Sequence, residues 1–226
     1  RLQSAIPQEA VRDNIRVFIE NWGKIKDAPS PREMALLVTS VAVALKYQQG
    51  KQSVELIWTG PKSRYIPLRR TDQALIELIN LAQQRVTLVS FAVYKAKNIL
   101  TALEKAARRG VEINIIVESP DSGEGKIAHD TISGLGSALK SMAKIFIWPL
   151  TKRETSPNGK YGSLHAKVAV GDSNHLYISS ANLTDYAMNL NMEMGVLLAG
   201  GDLPANVQSH FDELIVNGTL SELSFE

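Results

Sequence analysis

The stretch that decides the fold reads Leu164-His165-Ala166-Lys167-Val168-Ala169-Val170-Gly171-Asp172-Ser173-Asn174-His175-Leu176-Tyr177-Ile178-Ser179-Ser180-Ala181-Asn182. Leu164 to Val170 and His175 to Ser179 have strand composition, and Gly-Asp-Ser-Asn between them has turn composition. The pattern is a β-hairpin. Centring its turn between Asp172 and Ser173 sets residue 170 opposite 175 and residue 165 opposite 180. His165 and Lys167 are two apart on a strand, so both side chains point to one face. Ser180 then lies beside His165 on that face. Asn182 follows just past the strand end, where a helix beginning near Thr184 would offer backbone N–H groups to an anion. A nucleophilic imidazole, a fixed ammonium and a ring of neutral donors make a pocket for a phosphate.

By ordinary residue usage, His-x-Lys-x4-Asp alone arises by chance in roughly one chain in a hundred of this size. Adding Ser180, Asn182 and Glu193 makes coincidence far rarer. Taken singly, each residue also has a plainer reading. A lone histidine in a strand is usually structural. Glu193, between Met192 and Met194, suits a solvent-facing position on a half-buried strand. Asp172 is a common turn residue, and a structural role is the expectation for it. His129, His175 and His210 have no lysine two residues on, so none begins a second copy of the pattern. Asp212 and Glu213 beside His210 lie on a surface helix, and no metal site is expected there.

The spacing resembles the HKD motif of the phospholipase D superfamily, HxKx4Dx6GSxN. One position departs: Ser179 stands where the family usually has glycine, a small change that still lets a phosphate approach. The resemblance implies that His165 attacks phosphorus to give a phosphohistidine. It implies that Lys167, Ser180 and Asn182 hold the non-bridging oxygens, and that Glu193 accepts the other imidazole N–H. No metal and no cofactor is expected. The family's reaction needs two histidines, and this chain has one His-x-Lys unit. A homodimer sharing one active site answers the shortage; the alternative is a monomer that borrows its acid from another protein or from a nearby residue such as His129.

Outward from the motif, the chain reads as α/β: a phospholipase D-like mixed β-sheet sandwiched between helices, with an N-terminal helical subregion. The expected division is residues 1–50 for the helical part and 51–226 for the catalytic domain. Residues 8 to 27 and 31 to 48 read as two helices, the second opened by Ser30, Pro31 and Glu33 as cap, first position and capping-box acid. Its apolar stripe of Met34, Leu37, Val38, Val41 and Leu45 is expected to pack on the main domain. Val54 to Trp58 is a strand, Asp72 to Gln84 a helix and Val86 to Val93 a buried strand. Asn98 caps a helix running to Arg109, and Val111 to Val117 is a further buried strand, making a right-handed parallel crossover. Ile145 to Trp148 and Met192 to Leu198 add strands, and Leu203 to Val216 closes the chain as a helix.

Composition narrows the function. The 226 residues are 44% hydrophobic and 21% charged, with a formal net charge of +2 and no cysteine. Disulfides, thiolate metal sites and a cysteine nucleophile are therefore excluded. A cytoplasmic protein with no membrane segment is the expectation. Basic residues gather at Lys62, Arg64, Arg69 and Arg70, in a loop suited to substrate, and at Lys105, Arg108 and Arg109, on a solvated helix face. Leu56-Ile57-Trp58-Thr59-Gly60-Pro61, Ile147-Trp148-Pro149 with Arg153, and Ser180-Ala181-Asn182-Leu183-Thr184 are similar to the phospholipase D-like component of the bacterial DISARM anti-phage system. That likeness implies a nuclease on DNA and other DISARM components as partners. A phospholipid-acting enzyme and a catalytically idle nucleic-acid-binding subunit are the alternatives.

Overall fold

The computed structural model describes residues 9–49, 52–121 and 131–224. His129 lies outside them. The chain divides into two compact units at Gly50 and Lys51. The first holds helices α1 (Glu9–Gly23) and α2 (Pro31–Gln49). The capping box forms in full. Ser30 N–H donates to Glu33 Oε2 at 2.8 Å, its hydroxyl donates to the same oxygen at 2.7 Å, and Glu33 N–H reaches back to Ser30 Oγ at 3.3 Å.

The second unit runs β1 (Gln52–Thr59), β2 (Arg69–Arg70), α3 (Thr71–Leu81), β3 (Arg85–Ser90), β4 (Val93–Tyr94), α4 (Lys97–Arg108) and β5 (Glu112–Val117). It continues through α5 (Gly136–Met142), β6 (Lys144–Ile147), β7 (Val168–Gly171), β8 (His175–Ser179), β9 (Leu183–Thr184), α6 (Asp185–Asn189), β10 (Glu193–Gly200), α7 (Leu203–Val216) and β11 (Ser221–Glu222). Among the described residues, nine strands form one mixed sheet in the order β11-β6-β5-β3-β7-β8-β10-β1-β2. Strands β3, β5 and β6 are mutually parallel, as crossover helices require. The β7–β8 hairpin enters antiparallel beside β3, and β10 joins β8 to β1.

Both faces are covered, which is why β3 and β5 read as continuous apolar runs. Leu75 and Leu78 of α3 and Ile99 and Leu103 of α4 pack on one face with Ile57, Leu88, Ile115, Ala169 and Tyr177. Phe211 of α7 packs on the other with Val89, Ile116 and Phe146. Removing a buried leucine such as Leu78 from such a core costs about 2–5 kcal/mol. Gly171 belongs to this packing, because a Cβ there would sit 3.1 Å from Leu78 Cδ2.

Several expectations need correction. The hairpin register is shifted by one: Gly171 pairs with His175 and Val170 with Leu176, so residue 165 does not oppose 180. The reason is the turn. Asp172 and Ser173 both adopt left-handed backbone, φ 50° and 54°, in a three-residue connection that Asn174 N–H closes onto Gly171 O at 3.0 Å. Strand β7 begins at Val168, later than Leu164, so His165 and Lys167 precede it. Asn98 lies inside α4, whose cap is Ala96. The Val86–Val93 strand is two pieces, β3 and β4, because Ser90 turns its hydroxyl back to Ala92 O at 2.8 Å. Arg109 is not simply solvated: its guanidinium donates to the carbonyls of Ile79, Asn80 and Ala82 and so caps α3.

Candidate active site

The segment 165–167 enters β7 at the end of the sheet where β1, β3 and β8 finish and β10 begins. In a sheet with parallel crossovers this is the end where loops converge and ligands bind. His165 is exposed, and its ring lies 5.8 Å from that of Phe91, just past the end of β3. Phe91 was not singled out in the sequence, although its place directly after a buried parallel strand was the available signal.

Lys167 is buried at 8% exposure and turns its ammonium back to His165. Nζ lies 3.2 Å from His165 Nδ1 and donates to His165 O at 2.7 Å. An ammonium only donates, so this contact is a hydrogen bond in the tautomer whose Nδ1 carries no proton. Burial lowers the Lys167 pKa, and the nearby charge of Glu193 partly opposes that shift. Pairing continues one step beyond β7, since Ser179 N–H donates to Lys167 O at 3.1 Å. It is therefore Ser179, and not Ser180, that faces this pair across the hairpin.

Ser180 is turned toward β10. Its hydroxyl donates to Glu193 and accepts from Met194 N–H at 3.2 Å. The other Glu193 oxygen accepts from Asn191 Nδ2 at 3.0 Å. Among the described residues the carboxylate thus serves Ser180 and Asn191, and the imidazole serves Lys167; the expected Glu193–imidazole hydrogen bond is not formed. Asn182 holds a buried amide oxygen, Oδ1, with no hydrogen-bond partner among the described residues. A helix does begin after Thr184, but α6 has five residues, and Thr184 Oγ1 caps it by accepting from Ala187 N–H at 3.2 Å. That side chain takes one of the N–H groups at the helix start.

Ser179 fits without narrowing the site. Across β8 and β10 it pairs with Gly195, where a Cβ would lie 2.9 Å from Ser179 Cβ and 2.4 Å from Ile178 O. The space that glycine would have left at 179 is left instead at 195. Asp172 points away from the site, and its carboxylate accepts from the backbone N–H groups of Gln83, Gln84 and Arg85 at 2.7, 2.8 and 2.9 Å. Partial burial pushes its pKa up, but these three hydrogen bonds and the charge of His175 outweigh that and hold it below the usual value.

A buried network holds the backbone just ahead of His165. Glu118, at the end of β5, and Arg153 form a buried ion pair with side chains 1% and 0% exposed. Arg153 also donates to Trp148 O and to Gly162 O, the latter at 2.8 Å, and lies over the Trp148 ring at 4.8 Å. The remaining Glu118 oxygen accepts from Leu164 N–H at 2.7 Å, one residue before the histidine. Glu118 was missed in the sequence because its partner lies 35 residues on, across a loop of no regular pattern.

Residues 75–215 match the family model described as cardiolipin synthase, PLD-like domain. The chain belongs to the phospholipase D superfamily. Among curated relatives, this phospholipase D-like chain is 28% identical over 178 residues to the DISARM protein DrmC of Bacillus paralicheniformis, covering 78% of the chain and 69% of the relative. It is 25% identical over 191 residues to a cardiolipin synthase of Geobacillus thermodenitrificans, covering 84% of the chain but 34% of the relative. The chain thus spans about a third of the cardiolipin synthase's length. In fold it is similar to Nuc, a phospholipase D family member from Salmonella typhimurium, with TM-score 0.57, 18% identity, and coverage of 77% of this chain and 99% of that one. Among the described residues, no helix is long and apolar enough to cross a membrane.

Proposed function

We propose that this chain is a metal-independent phosphodiesterase that works through a phosphohistidine on His165, with nucleic acid, most simply DNA, as its substrate. The observation that carries the reading is the exposed imidazole with the Lys167 ammonium 3.2 Å away, at the convergent end of a phospholipase D-type sheet. An incoming phosphate competes with the imidazole for Lys167, and the ring lone pair that the lysine occupies is released for attack. A nitrogen–phosphorus bond forms as the bond to the leaving oxygen breaks, and that oxygen takes a proton from a general acid. Water then cleaves the nitrogen–phosphorus bond and returns the imidazole. Lys167, Ser180 and Asn182 are assigned to the phosphoryl oxygens as donors, Asn182 through its amide Nδ2. Glu193 acts on the site through Ser180 and through its charge on Lys167.

The likeness to DrmC supports foreign DNA as the target and other DISARM proteins as neighbours in function. The likeness to cardiolipin synthases supports a second reading, transfer or hydrolysis at a phospholipid headgroup. The deciding experiment is an assay in excess chelator on single- and double-stranded DNA and on phosphatidylglycerol micelles, with His165→Ala beside the native chain. Cleavage of DNA that persists in chelator and disappears in His165→Ala is the expected outcome. Activity that needs a divalent ion, or turnover of lipid alone, defeats the proposal.

A further inference from the structure

Beside the catalytic residues, β1 and β10 frame a pocket of about 480 Å³ whose walls include Trp58, Ile66, Leu68, Met188 and Met194, with Lys62 at its edge. Its position is fixed by pairing: Trp58 opposes Met194 and Thr59 opposes Glu193, so the pocket adjoins a residue of the candidate site. The turn after β1 builds its wall. Trp58 Nε1 donates to Pro61 O at 2.9 Å, and the indole lies against Gly60, where a Cβ would meet its ring at 2.9 Å. Gly60 also adopts φ 137°, so only glycine suits both demands.

The four cations of this loop divide into two kinds. Arg69 is bound by Glu55 and Glu77, and Arg70 by Asp72 and Asn189. Lys62 and Arg64 have no carboxylate partner among the described residues. Arg64 instead lies over the Tyr65 ring at 5.7 Å, and that ring is 82% exposed. An exposed ring held by a cation, next to an apolar pocket with a second cation at its edge, presents alternating sites for flat rings and for phosphates.

We infer that the 60–68 loop and this pocket form a subsite for unpaired nucleic-acid strands, with one base in the pocket, a neighbour stacked on Tyr65, and Lys62 and Arg64 on the intervening phosphates. The inference rests on the phosphodiesterase reading above and adds a strand preference. A base enters the pocket only after leaving a duplex, so single strands bind in preference to double strands. A phosphatidylglycerol headgroup presents one phosphate and no aromatic ring, and leaves Tyr65 without a role.

The test is fluorescence anisotropy of the full chain with a labelled single-stranded oligonucleotide, the matching duplex, and phosphatidylglycerol vesicles. Single strands should bind more tightly than duplex. Tyr65→Ala should weaken single-strand binding about 5- to 150-fold, the range of losing one stacked base. Lys62→Ala should reduce the slope of log affinity against log salt by about 0.7, one phosphate contact. Ser63→Trp fills the pocket from an exposed loop position without disturbing the core, and should also weaken binding. Lys105→Ala, a cation of α4, serves as the unaffected control. Equal affinity for duplex, native-like binding by Tyr65→Ala and Ser63→Trp, or binding to vesicles in place of oligonucleotide overturns the inference. Cleavage of DNA by the native chain is read separately. If it occurs while the loop variants bind normally, the subsite alone is wrong; if the native chain neither cuts nor binds nucleic acid, both readings fail.

Discussion

Asp172 belongs to the motif by spacing, yet its three hydrogen bonds are all structural: they tie the β7–β8 turn to the backbone between α3 and β3. Asparagine tolerates left-handed backbone but offers one acceptor oxygen and no charge. Asp172→Asn should therefore cost on the order of 1–2 kcal/mol of stability while leaving turnover close to native. The sign with pH follows from the lowered pKa of the folded state. The carboxylate's contribution is complete above its unfolded value and is lost as pH falls through the folded one, so native and Asp172→Asn stabilities should converge in acid. Urea denaturation across pH measures this. A variant of native stability that cannot turn over substrate would place Asp172 in the chemistry. The residue types of the site were legible because histidine, lysine, serine and asparagine at that spacing serve one kind of reaction. Their contacts were less so. The one-residue register shift comes from two successive left-handed residues, Asp172 and Ser173, which composition does not distinguish from an ordinary tight turn. The fit of Ser179 depends on Gly195, and a reading of either alone misses it.

At the scale of elements, the span of α7 and the capped start of α2 were read correctly, while two of the buried strands were drawn too long. What stayed hidden was how a loop without regular structure reaches the site. The Glu118–Arg153 pair does this work, holding Trp148, Gly162 and Leu164 in one network just ahead of His165. Glu118→Gln leaves a buried guanidinium without its counter-charge and should cost about 3–5 kcal/mol. That loss alone would not separate positioning from stability. Glu118→Leu combined with Arg153→Met removes both charges and should recover much of the stability. Turnover should stay depressed, because Leu164 N–H still lacks its acceptor. Thermal melts with kcat measured on the same samples make the comparison. Full recovery of kcat along with stability would reduce the pair to scaffolding.

At the scale of the whole molecule, the mixed sheet between helices was legible from periodicity and from the motif, and the resemblance to phospholipase D proteins matches the fold. Stoichiometry was not, since one His-x-Lys unit leaves the general acid unassigned. We expect a two-fold dimer to supply it, with His165 of each chain serving one phosphate. Native chains mixed with increasing His165→Ala should lose activity faster than simple dilution, because mixed dimers are inactive. A linear loss, or an active species that sediments as a monomer, refutes the shared site. The strand order has its own consequence for how the protein is made. Strand β1 is paired along its whole length with β10, and the β7–β8 hairpin lies between β10 and β3. At ordinary synthesis speed, roughly 7–28 seconds separate the emergence of Gln52 from that of Glu193. Throughout that interval a nascent chain carries β1 with no long strand to join, and an incomplete translation product ending before β10 has an unclosed sheet. Native structure thus awaits the synthesis of β10, and chaperone protection matters most for the strands made before it.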